Sequence, residues 1–122
     1  MASEPPAKAD GPGDAIGALQ RLLSNPVLKF RPRDLAEDLC DLHVSFKTDA
    51  AYAAAVLAFI REIQRAMRNP SAHGDELQHT LTGLRRGKFT PIGSKVACLR
   101  LVVRPYQGGL HVVAMRQSRV RS

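Results

Sequence analysis

Not one Asp or Glu occurs between Leu77 and Ser122, although nine basic residues do: Arg85, Arg86, Lys88, Lys95, Arg100, Arg104, Arg116, Arg119 and Arg121. All eleven carboxylates lie in the first 76 residues beside nine basic side chains, so the chain divides into a part of −2 and a part of +9. A segment this positive repels itself and holds nothing that can pair its charge internally. Such an asymmetry persists where a polyanion or an acidic partner protein completes the balance. The bland alternative is a solvated surface with some arginine stems packed along it.

At 122 residues the chain is expected to form one domain, 15–122, behind a tail. The tail, residues 1–14 (MASEPPAKADGPGD), is Pro, Gly, Ala and charge. It cannot bury enough apolar surface to offset its ordering entropy, so it is expected to be disordered. Elsewhere the 44% apolar content is ordinary for a globular domain. Aromatics are few and there is no Trp, so the core must be aliphatic and small.

No run approaches the roughly 20 apolar residues of a membrane helix. The first twenty residues lack the apolar stretch of a signal peptide, so the expectation is cytoplasmic, with no membrane partner. Cys40 and Cys98 share no metal-like spacing and sit in apolar-patterned segments, which predicts two buried, reduced thiols. There is no Walker loop, GxGxxG, CxxC or nucleophile elbow, and no metal or cofactor is implied.

Periodicity predicts a helix over Ala15–Leu23 with Asp14 as N-cap and Ile16, Leu19, Leu22 and Leu23 on one face. Ser24-Asn25-Pro26 breaks it. Val27–Phe30 reads as a strand with Val27 and Lys29 on one side and Leu28 and Phe30 on the other. After the Arg31-Pro32 corner, Leu35, Leu39 and Leu42 mark a helix over Arg33–His43, whose outer face carries Asp34, Glu37, Asp38 and Asp41. Thr48 or Asp49 caps a longer helix, Ala50–Arg68, with Tyr52, Val56, Phe59, Ile60, Ile63 and Met67 in one stripe. Asn69-Pro70 ends it, and the two segments read as an antiparallel helical hairpin.

The period then changes. His73–Leu84 is expected to hold a short helical turn with Leu77, Leu81 and Leu84 inward. Arg85–Ile92, Lys95–Arg104 and Leu110–Met115 read as strands, with Pro105–Gly109 supplying turn chemistry between the last two. The fold class is α+β: a helical hairpin packed on one face of a small curved antiparallel sheet of about four strands, with the other face open and basic.

This order of elements resembles the RelE/ParE superfamily of toxins from toxin–antitoxin modules, over about residues 27–121. Leu28–Leu35 with Asp38-Leu39 and Leu42 looks like the family's opening strand and first helix. Phe59–Ile63 with Met67–Pro70 looks like the close of its second helix. Leu77 with Leu81-Thr82-Gly83-Leu84 matches the connector, Leu99–Val103 the central strand, and Leu110–Arg119 the last strand with its basic end.

The resemblance implies a RelE-like fold and a bacterial, ribosome-dependent mRNA endoribonuclease, or a DNA gyrase inhibitor in the ParE branch. It also implies a cognate antitoxin, an acidic-to-amphipathic segment lying across the basic sheet. Carried over by position, Arg100 and Arg119 are the candidate catalytic residues, with one residue of slip nominating Arg116 or Arg121 in place of Arg119. Arg85, Arg86, Lys88, Lys95, Arg116 and Arg121 are the candidate RNA-binding residues. The alternative from a different class is a nucleic-acid-binding protein without catalysis.

Other signals are less specific. His73, His79 and His111 could transfer protons near neutral pH, or could be solvent-exposed or locally bonded. Arg68 and His73 fit the Arg-x4-His pattern of HEPN ribonucleases, an all-helical fold that the β-rich segment after Leu84 argues against. Tyr106 could stack on a base or simply pack its turn.

Overall fold

A computed structural model describes residues 12–77, 83–90 and 98–117. Three helices and five strands follow in chain order: α1 (Pro12–Leu23), β1 (Leu28–Phe30), α2 (Pro32–Ser45), α3 (Asp49–Arg68), β2 (Asp75–Glu76), β3 (Arg85–Phe89), β4 (Leu99–Tyr106) and β5 (Gly109–Gln117). A 3₁₀ turn at Pro70–Ala72 follows α3. The fold is α+β, as expected, but the sheet is mixed. Its order is β1-β5-β4-β3-β2, with β1 parallel to β5 and the other pairs antiparallel.

Local chemistry explains most boundaries. The Thr48 hydroxyl accepts a hydrogen bond from the Ala51 N–H at 3.1 Å, an N-cap that satisfies one orphan donor of α3. Pro32 at the first turn of α2 needs no N–H there, and it ends β1 at Phe30. Between β4 and β5, Tyr106 pairs with Gly109 across a Gln107-Gly108 turn, where Gly108 takes φ +90.

The core lies between the sheet and the helices. α3 crosses β4 and β5, setting Val56, Phe59 and Ile63 against Leu99, Leu101, Val103, Leu110 and Met115, all essentially buried. Phe59 meets Phe89 edge to face at 5.3 Å. Each such side chain contributes about 1.5–3 kcal/mol through its removal from water.

Several expectations need correction. The main helical neighbour of α3 is α1, while α2 lies along β5 and meets α3 only sparingly, so α2 and α3 are not a tight hairpin. The reason is that β1 pairs with β5 only through Val112, and α2 takes over the rest of that edge. Pro12 and Asp14, placed in the tail by composition, belong to α1; residues 1–11 lie outside the described residues.

In the predicted 73–84 helix, Asp75 and Glu76 instead form β2. They pair with Arg86 and Arg85, setting opposite charges across the ladder, whereas residues 78–82 are outside the described residues. Cys40 is exposed rather than buried, because α2 turns it away from the sheet, and Cys98 is half-buried; both thiols are free. No helix among the described residues is long and apolar enough to cross a membrane.

Candidate polyanion-binding face

Strand alternation decides which cations share a surface. Leu99, Leu101 and Val103 point to the helices, so Arg100, Val102 and Arg104 point the other way. The cross-strand register then sets Lys88 beside Arg100 and Arg100 beside Arg116, a basic row running across β3, β4 and β5. Arg86 lies next to this row, paired with Val102, and Arg86 and Lys88 are both exposed. A bulge between Val102 and Val103 leaves both Val113 and Ala114 half-buried on the outward side.

At the centre of the row, the Arg100 Nε is buried and has no hydrogen-bond partner among the described residues. A buried donor left unpaired costs about 1–3 kcal/mol, and an anion that supplied an acceptor would recover it. Around it is a cleft of about 370 Å³ whose walls include Arg86, Arg100 and Arg116 on one side and Asp34, Glu37 and Asp38 of α2 on the other.

The carboxylates qualify the sequence picture of charge divided by face, since α2 carries three of them to the edge of the basic surface. Asp38 does most. It is buried, its Oδ2 accepts the Met115 N–H at 2.9 Å, and its Oδ1 accepts the Arg116 Nε–H at 3.3 Å. Read as a member of an acidic outer face, it instead satisfies the edge of β5 where β1 has ended.

A second outward row lies farther along the same strands. Lys29 pairs with His111, and His111 with Arg104, across β1, β5 and β4. Arg31, Asp34, Arg104 and His111 contribute to a cleft of about 360 Å³. Partial burial, then Arg31, then Arg104, hold the His111 pKa below its ordinary value of 6.5. The Lys29 ammonium sits 5.9 Å above the Tyr106 ring, whose hydroxyl donates to the Val27 carbonyl at 3.1 Å. Tyr106 therefore packs its turn.

Arg100, Arg86, Lys88 and Arg116 are thus brought together, as the sequence suggested. Arg85 stands apart from them. It points to the helix side, where its guanidinium donates to the carbonyls of Ser71 (3.0 Å), His73 (3.0 Å) and Gly74 (2.7 Å) and fastens the segment after α3. Lys95, Arg119 and Arg121 lie outside the described residues.

The sequence reading passed over Lys29, Arg31 and Arg104 as site residues. Alternation in Val27–Phe30 already turned Lys29 outward, but nothing local announced that β1 would lie against β5.

The remaining candidates resolve individually. His73 is fully buried; its Nδ1 is 2.6 Å from Glu62 Oε2 and its Nε2 2.7 Å from the Leu101 carbonyl. A carbonyl can only accept, so Nε2 carries a proton and the ring bridges α3 to β4. Neither nitrogen is open to a substrate, which removes the Arg68–His73 ribonuclease pattern. His43 is exposed, 3.7 Å from Asp49, and His79 is outside the described residues. Among the described residues no group of three His, Cys, Asp or Glu could hold a metal ion. No family model, curated protein or solved structure matches this chain.

Proposed function

We propose that this chain is an RNA-directed toxin of the RelE class, which grips the phosphate backbone of messenger RNA on the outward face of its sheet and cuts it on the ribosome. The observation that carries the reading is the Arg100 Nε, a buried donor without a partner among the described residues, set mid-row between Lys88 and Arg116. The order of elements from β1 through α2 and α3 to the strands that follow supports it as well.

In this reading a phosphate oxygen completes Arg100. The guanidinium then stabilises the charge that grows on the non-bridging oxygens as the 2′-oxygen, its proton passed to water, bonds to the scissile phosphorus and the P–O5′ bond breaks. The leaving oxygen takes a proton from water, which gives a 2′,3′-cyclic phosphate and a 5′-hydroxyl end. Arg86 and Lys88 position the backbone, and Arg116 and Arg119 contribute from the end of β5 and beyond it. A cognate antitoxin would cover the same face.

The test is expression in a bacterium, followed by incubation of the purified chain with translating ribosomes and mapping of RNA ends. Growth arrest and new cuts are expected, with Arg100→Ala abolishing cleavage without lowering thermal stability. Intact RNA from the parent chain would overturn the nuclease.

A second reading, a non-catalytic nucleic-acid-binding protein or a ParE-like gyrase inhibitor, is favoured by the cleft's own acid. Asp38 already neutralises Arg116, and Asp34 and Glu37 share the same walls. Binding alone would fall gradually with each charge removed and would keep a steep salt dependence, with no cut ends.

A further inference from the structure

We propose that Lys29, Arg31, Arg104 and His111 form a second phosphate subsite on the outward face, and that an anion bound there is accompanied by uptake of a proton at His111. The inference deepens the proposed reading of the face and rests on it for the identity of the polymer, a single RNA strand.

The argument begins with placement. Lys29, His111 and Arg104 are immediate cross-strand neighbours, so their side chains rise from one side of the sheet within reach of a common ligand. Arg31, at the N-cap position of α2, closes the group from the helix side; Arg31, Arg104 and His111 line an open cleft, with Lys29 the cross-strand neighbour of His111. Arg104 is exposed, and no ion pair engages it, Arg31 or Lys29 among the described residues.

Partial burial and the Arg31 and Arg104 guanidinium groups act together on the imidazole, and the one carboxylate in the cleft, Asp34, does not outweigh the cations around it. The neutral imidazole offers a ligand oxygen one N–H, whereas the imidazolium offers two and adds a positive charge. A phosphate group between Arg31 and Arg104 offsets their charge at the ring and favours the imidazolium, which then joins the two guanidinium groups as a donor.

The groups facing His111 are Lys29 from β1, Arg31 from the β1–α2 corner, Asp34 from α2 and Arg104 from β4. Asp34 is the carboxylate in this set and competes with an incoming anion. It stops short of pairing with Arg31 or Arg104, so the site retains net positive charge.

Spacing links the subsite to the Arg100 row. Four residues separate Arg100 from Arg104 on β4, about 13 Å at roughly 3.3 Å per residue. One phosphate group cannot bridge that gap, whereas alternate phosphates of one extended strand can occupy both places.

The experiment is a proton NMR titration of the histidines in the full chain, with His111→Gln assigning its resonance. It is run free, with inorganic pyrophosphate, and with a short oligouridylate. His111 should titrate below the ordinary histidine value when free and move upward with either probe, while the other histidines move less. Arg104→Gln should raise the free titration and shrink the ligand-induced displacement.

Oligouridylate affinity should rise on acidification from pH 7.5 to 6, by no more than tenfold per pH unit for one proton taken up. His111→Gln should remove most of that dependence. If the oligonucleotide binds and responds to Arg100→Gln while the His111 titration stays fixed, the subsite is wrong and the face reading stands. If the oligonucleotide fails to bind, the proposed function falls, and pyrophosphate alone decides the subsite: a moved titration supports it and an unmoved one overturns it.

Discussion

Replacing Asp38 should weaken the fold and strengthen ligand binding at once, because one carboxylate serves both the β5 edge and the basic row. In Asp38→Ala the Met115 N–H loses its acceptor in a buried place, at a cost of about 1–3 kcal/mol. The Arg116 pair adds little, about 0–1 kcal/mol, since the Arg116 side chain is 66% exposed. The expected total is about 2 kcal/mol. With a urea slope of about 2 kcal/mol per molar, the unfolding midpoint falls by about 1 M. Asp38→Asn retains a carbonyl oxygen for Met115 and should lose no more than about 1 kcal/mol.

Binding moves the other way. Both variants release Arg116, so affinity for single-stranded RNA should rise by up to about fivefold, the equivalent of about 1 kcal/mol. The logarithmic salt slope should steepen by about one counterion. Urea melts with unchanged slope, beside fluorescence anisotropy at several salt concentrations, measure the two effects on the same samples. The reasoning is refuted if Asn is as damaging as Ala, because that removes the hydrogen bond to Met115 from the account. It is also refuted if a folded Asp38→Asn chain binds RNA more weakly than the parent.

Neighbouring residues in β3 should separate cleanly in the same assays. Arg85→Gln surrenders charge-assisted bonds to three carbonyls and should cost about 2–3 kcal/mol with the salt slope intact, whereas Arg86→Gln should melt like the parent and lower the slope by about one. Gly87→Ala should destabilise by about 1–3 kcal/mol, because its Cβ would stand 2.5 Å from the His73 ring. Combining it with His73→Ala should cost less than the sum of the two, and additive costs in that double-mutant cycle would refute the clash.

The parts legible in the sequence are those whose physics is local. The stripe from Tyr52 to Met67, the Thr48 cap and the break at Asn69-Pro70 all act within one or two turns, and α3 follows from them. Alternation through Leu99–Val103 was enough to turn Arg100 outward. The parts that escaped depend on partners far away in the chain. Asp38 differs from Asp34 and Glu37 only in facing an edge N–H 77 residues later, so a helical wheel groups all three. Arg85 and Arg86 are equivalent until the β3–β4 register assigns them opposite faces. The parallel pairing of β1 with β5 spans most of the domain, and without it Lys29, Arg104 and His111 remain unrelated positions.

That distance dependence bears on the charge asymmetry itself. Folding returns some of the missing carboxylates to the acid-free segment: Asp38 to Arg116, and Asp75 and Glu76 opposite Arg86 and Arg85. Arg85 is further satisfied by carbonyls. Among the described residues, what folding leaves without an ion pair is narrower than +9 suggests, and it lies along the Lys88–Arg100 row with Arg86 and around His111. A merely solvated basic surface would have placed its cations at the rim, where water serves every donor. An Arg100 Nε buried without a partner among the described residues worsens the unliganded protein, and partial burial, then Arg31 and Arg104, hold the His111 pKa down. Each becomes favourable when an anion arrives, so binding draws on interactions that folding alone leaves unmade. On the proposed reading, a face built this way would gain more from a phosphate backbone than its net charge accounts for, and part of that gain should survive at high salt, where the purely coulombic share is screened.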